Sequence, residues 1–184
     1  MAPPARKRWP AGGAGTISGS SMTSALHIRT SSPEETQQVG RIVGEQARPG
    51  DIYLLTGPLG AGKTCLTQGI AWGLGVPGYA RSPTFVLMTR YQGRLTLYHL
   101  DLYRISDPGE AWDLGLEEQL FGDGVCVVEW ADRAEEIFPE DCLWVTLEYT
   151  PGEDERKLTF HQSSSRYQPL LDRLAEAFPA SPTG

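Results

Sequence analysis

The stretch Gly57-Pro58-Leu59-Gly60-Ala61-Gly62-Lys63-Thr64 sets a lysine and a hydroxyl behind a glycine-rich loop, with the spacing G-x-x-x-x-G-K-[ST]. Glycines let a backbone curl until successive N–H groups point inward, which makes a cradle for phosphate oxygens. On this reading Gly57, Leu59, Gly60, Ala61, Gly62, Lys63, Thr64 and Cys65 surround the phosphates of a nucleotide. Lys63 reaches the β- and γ-phosphates, the Thr64 hydroxyl binds Mg²⁺, and a helix starting near Gly62 adds its positive end. The context agrees: "IYLL" before the loop is a short apolar run of the buried parallel-strand kind, and "CLTQGIAWGL" after it can wind as a helix.

Such a loop needs an acid at the carboxyl end of a neighbouring strand, to hold the metal or orient water. "VCVVE" ends in Glu129 and "LTLYHLD" ends in Asp101. Alone, either is equally a charge at a strand end; beside the phosphate loop both are read as catalytic, and Glu129 also as a metal ligand. "ARSPTF" offers the Ser82 and Thr84 hydroxyls on a proline-stiffened turn, where a loop can sense the γ-phosphate. Trp130 can stack on a base or a partner, or fill the core. His99, within a strand, reads as a packing or locally bonded residue, and Arg104 and Arg133 as transition-state cations or simple carboxylate partners.

Absences narrow the chemistry. The chain has no asparagine, hence no N-K-x-D guanine reader, and no aspartate followed by glycine three residues later, which disfavours a GTPase. Cys65, Cys126 and Cys142 lack C-x-x-C or metal-ligand spacing. A net charge of −7 on 184 residues disfavours a broad nucleic-acid-gripping face. No apolar run approaches the ~20 residues that span a bilayer, and no secretory signal is visible, so the expectation is a cytoplasmic protein without a membrane partner.

The elements that must position these groups follow from pattern. Residues 1–22 are Pro/Gly/Ser/Ala-rich and expected to be disordered, 23–178 are expected to form one P-loop domain (an ATPase domain on the resemblance given below), and 179–184 a flexible tail. "ALHIRT" reads as a strand, and Ser32, Pro33 and Glu35 open a helix with a capping box. "FVLMTRY" and "LTLYHLDLYR" read as strands joined by a tight turn, and "LWVTLEY" and "RKLTFH" as a hairpin. "SDPGEAWDLGLEEQLF" reads as one short helix with Trp112 and Leu116 on one side; Leu170, Leu171, Leu174 and Phe178 mark a last helix. The fold class expected is α/β, a P-loop NTPase-like sandwich with a mixed, mostly parallel sheet flanked by helices.

"GPLGAGKT", "SPTF", "HLDLYR" and "VVEW", in this order, resemble the TsaE (formerly YjeE) family over roughly Ala25 to Ala177. The resemblance implies a small ATPase using ATP and Mg²⁺ in making threonylcarbamoyladenosine on tRNA. It also implies a TsaD–TsaB heterodimer as partner, with tRNA met only indirectly through the complex. Carried over by motif, Lys63 and Thr64 hold phosphate and Mg²⁺, and Thr84 belongs to a switch-like loop. Asp101 and Glu129 match the active-site acids, and Trp130 the tryptophan at the site's edge. Phe85 and Leu100 depart from the tyrosine and phenylalanine frequent there. Rival readings are a small-molecule kinase, disfavoured by scattered arginines and a hairpin in place of acceptor helices, and a nucleotide-gated binding module.

Overall fold

The computed structural model describes residues 25–81 and 87–180. The expected disordered extension, residues 1–22, lies outside those residues, as do Ser82, Thr84 and Phe85 of the switch-like loop and all of the tail except Pro179 and Ala180. Among the described residues seven strands form one sheet in the order β1-β7-β6-β2-β5-β4-β3. They are β1 (Ala25–Thr30), β2 (Ile52–Thr56), β3 (Met88–Gln92), β4 (Thr96–Asp101), β5 (Val125–Glu129), β6 (Leu143–Tyr149) and β7 (Arg156–Gln162). The helices are α1 (Pro33–Gln46), α2 (Lys63–Gly73), α3 (Pro108–Asp113), α4 (Glu117–Leu120) and α5 (Gln168–Ala177), with a 3₁₀ segment over Ala131–Ile137.

The four central strands, β6, β2, β5 and β4, run parallel, and antiparallel pairings add β7 and β1 on one side and β3 on the other. The sheet is thus mixed as expected, with the parallel part at its centre. Strand β2 explains its own unbroken apolar sequence. Tyr53 and Leu55 face the layer of α1, α2 and α5, while Ile52 and Leu54 face the layer of α3, α4 and the 3₁₀ segment. A central strand covered on both faces needs apolar side chains in both directions.

Helix α1 starts at Ser32, whose Oγ accepts from the Glu35 N–H at 3.1 Å. The returning half of the expected capping box lands one residue earlier. Glu35 Oε2 takes both the N–H (2.7 Å) and the hydroxyl (2.9 Å) of Ser31, two donors where the box supplies one.

Helices α1 and α2 touch through glycines. A Cβ on Gly44 would stand 2.2 Å from the Ile70 carbonyl oxygen, and one on Gly69 would stand 2.1 Å from that of Gln37. Gly40 and Gly73 make equally close approaches. Backbone lies on backbone, so the start of α2, and with it Lys63, is set against a rigid neighbour.

The stretch from Asp107 to Phe121 departs from the expected single helix. Gly115, at φ 64°, takes a left-handed conformation that ends α3 before α4 begins. Leu116 is buried and Trp112 is 46 % exposed, and both line one cavity with Ala111, Leu120 and Ile137.

Candidate nucleotide site

The loop from Gly57 to Gly62 leaves the end of β2 at the middle of the sheet and enters α2. Gly57 has φ 143°, and a Cβ there would lie 2.4 Å from the Leu147 carbonyl oxygen of β6. No other residue passes over β6 at that height without moving it. Gly62, at φ 105°, is the N-cap of α2 and offers no side chain to cap the helix's first N–H groups. Ala61 is buried and Leu59 is 71 % exposed at the loop's tip. The Tyr149 hydroxyl donates to the Leu59 carbonyl and ties that tip to the end of β6.

Lys63 folds back under the loop. Its Nζ donates to the carbonyls of Gly57 (2.6 Å) and Pro58 (2.8 Å) and stands 4.0 Å from the centroid of Trp130. Burial pushes its ammonium below the ordinary lysine value, partly offset by Glu129, Asp132 and Asp101. Thr64, next in α2, donates its hydroxyl to Glu129 Oε1 at 2.8 Å. The Cys65 thiol turns to the Pro33 carbonyl of α1 (3.2 Å), so toward the loop it presents backbone only.

Asp101 and Glu129 are register partners at the ends of parallel β4 and β5. Both are buried, as is Lys63, and Glu129 meets Thr64 in the first turn of α2. Three buried ionisable groups together are costly unless they pair or serve a ligand. Asp101 Oδ1 accepts the Tyr103 N–H at 2.9 Å, and Glu129 Oε2 meets His99 Nε2. Trp130 follows at φ 57°, and its ring packs on Tyr103 with centroids 4.9 Å apart. The Arg133 guanidinium lies 5.5 Å from the Trp130 centroid and 5.7 Å from that of Tyr103.

The structure therefore brings together the loop, Lys63, Thr64, Asp101, Glu129 and Trp130, while Thr84 lies outside the described residues. Thr64, Glu129 and Asp101 offer hard oxygen donors, the kind Mg²⁺ takes, and no group of three His/Cys/Asp/Glu suited to a metal occurs among the described residues. That sparse set fits Mg²⁺, which keeps several waters and binds through one or two protein oxygens plus substrate phosphates.

A family model described as "Threonylcarbamoyl adenosine biosynthesis protein TsaE" matches residues 30–158. The chain belongs to the TsaE family. Among its relatives, the TsaE protein of Bacillus subtilis is 45% identical over 151 residues, 82% of this chain and 94% of the relative. That of Treponema pallidum is 42% identical over 116 residues, 63% of this chain and 86% of the relative. The crystal structure of Bacillus subtilis YdiB superposes with a TM-score of 0.72 at 40% identity, covering 86% of this chain and 99% of that one. No helix among the described residues is long and apolar enough to cross a membrane.

Beyond the motifs, this TsaE-family site contains three residues that sequence reasoning did not assign to it: His99 on Glu129, Tyr103 on Trp130, and Tyr149 on the loop's tip. For His99 a signal was present. In H-x-D on a strand, the histidine and aspartate share a face.

Proposed function

We propose that this chain is the Mg²⁺-dependent, ATP-hydrolysing subunit of the assembly that forms threonylcarbamoyladenosine on tRNA, acting on a TsaD–TsaB heterodimer. Its TsaE membership supports a role in threonylcarbamoyladenosine biosynthesis. The observation that carries the ATPase reading is the 2.8 Å bond from Thr64, at the start of α2, to Glu129, at the end of β5. It joins the residue after the loop's lysine to a buried acid, and these two oxygens would hold Mg²⁺ beside a nucleotide bound in the loop.

The residues divide the work. Backbone N–H groups from Leu59 to Cys65 hold the phosphates, and Lys63 leaves the carbonyls of Gly57 and Pro58 to bond phosphate oxygens. Thr64 and Glu129 would hold Mg²⁺, which when bound neutralises charge on the phosphates. Asp101, one strand away and equally buried, is left to orient the attacking water in line. Trp130 closes the edge of the site over Lys63.

The acidic chain suits docking on a partner that carries tRNA better than gripping tRNA itself. The test is phosphate release by the chain alone, with the heterodimer, and with tRNA added to each. Slow release alone and a rise with the heterodimer are expected. Fast release alone with no response overturns the partner dependence, stimulation by tRNA without the heterodimer moves the nucleic-acid site onto this chain, and phosphate transfer to a small acceptor instead of water makes it a kinase.

A further inference from the structure

Glu129 is held at both oxygens. Oε1 accepts the Thr64 hydroxyl at 2.8 Å, and Oε2 meets Nε2 of His99. His99 lies in the middle of β4, its ring fully buried, two residues before Asp101 and diagonal to Glu129 across the parallel β4–β5 pair. Its other nitrogen, Nδ1, is buried with no hydrogen-bond partner. An N–H at Nδ1 would be a buried donor without an acceptor, so the ring hydrogen belongs on Nε2, where a carboxylate oxygen accepts it.

We propose that His99 is a positioning residue for the metal-side carboxylate. By donating Nε2–H to Oε2 it stops the terminal torsion of Glu129, which is otherwise broad and nearly two-fold. Oε1 is then the oxygen turned to Thr64 and to a cation beside it. On the proposed function His99 would touch neither nucleotide nor metal. It acts through Glu129 as the outer partner of a metal ligand, a class of contact whose loss costs about 10–100-fold in metal affinity. This inference rests on the nucleotide-and-Mg²⁺ reading of the site.

Two amide variants separate positioning from core filling. In His99→Gln the amide reaches about where Nε2 stands and can still donate to Glu129. In His99→Asn it stops near Nδ1 and cannot. Both place a polar amide in the same buried spot, so a structural role alone lowers the thermal midpoint of both and leaves metal binding alike. Mn²⁺, as a spectroscopic probe for Mg²⁺, is titrated into the full chain with ADP, and ADP affinity is measured separately in EDTA. The expected result is Mn²⁺ affinity within about threefold of wild type for His99→Gln and at least about tenfold weaker for His99→Asn, with ADP affinity in EDTA unchanged in both. Equal Mn²⁺ affinity in the two variants, or wild-type affinity in His99→Asn, overturns the proposal while leaving the nucleotide site intact. A wild-type chain that binds ADP no better with Mn²⁺ than without overturns the Mg²⁺ reading of the site together with it.

Discussion

The ammonium of Lys63 stands 4.0 Å from the centroid of the Trp130 ring while donating to the Gly57 and Pro58 carbonyls. A cation over an indole face is a favourable contact, and it ties the residue after Glu129 to the residue before Thr64. On the proposed function phosphate would draw Lys63 away and change the environment of that indole. ATP·Mg²⁺ is therefore expected to alter tryptophan emission in the wild type, and Trp130→Phe is expected to remove most of the change. A full-sized response in Trp130→Phe would assign the signal to one of the chain's other four tryptophans.

Lys63→Ala should separate binding from folding. Charge-assisted bonds to phosphate are worth about 1.5–3 kcal/mol each, so losing one weakens ATP binding about ten- to a hundredfold. The fold does not depend on the ammonium in the same way, because burial already disfavours its charged form. Calorimetric titration should show the affinity loss, and a melting curve should show a midpoint within a few degrees of wild type. Unchanged affinity means that the loop does not hold phosphate.

Glu129→Gln and Asp101→Asn keep shape and remove charge from the two acids at the ends of β5 and β4. Phosphate release in the full assembly should fall at least about tenfold in each while ATP still binds, since in-line attack requires metal and water to be placed and charge to be offset. Wild-type rates in both variants would remove these acids from the chemistry.

Gly44→Ala tests the α1–α2 contact. The added methyl meets the Ile70 carbonyl oxygen at 2.2 Å, which flexible side chains cannot relieve because both partners are backbone. Overpacking of this kind costs about 1–3 kcal/mol, read as a lower urea midpoint. Because α2 begins at Lys63, ATP affinity should drop as well. A variant as stable as wild type would mean that the helices part at no cost.

Alkali should loosen the fold in part through two thiols. Burial pushes the Cys126 thiol up to about 12 and raises that of Cys142, while both titrate near 9 when unfolded. Between those values the folded chain binds more protons than the unfolded one. The stability these thiols contribute is whole below about pH 9 and is lost as pH rises toward 12. Urea midpoints should fall over that range, and Cys126→Ala should flatten the fall. An unchanged slope in Cys126→Ala would mean that the thiol's surroundings do not hold it protonated.

The glycine loop, its lysine and its threonine are legible in the sequence, because the shape of such a loop depends on local backbone conformation, and glycine spacing encodes that directly. Which acids end apolar strands is legible too, since a run such as Val125–Val128 closing on Glu129 is a one-dimensional signal. The break at Gly115 was harder to read, because one glycine in a helical pattern is a tolerated residue until its φ is known. The glycine pairs Gly40/Gly44 and Gly69/Gly73 were visible as spacings, but only the docking of α1 on α2 shows that each answers the other. Only the tertiary structure decided what the acids and His99 do to one another. Strand order sets β5 between β2 and β4, and register sets Asp101 opposite Glu129 and His99 on its diagonal. Those pairings join residues about thirty or more positions apart, and no local pattern records a partner at that distance, because it is chosen by how the whole sheet packs.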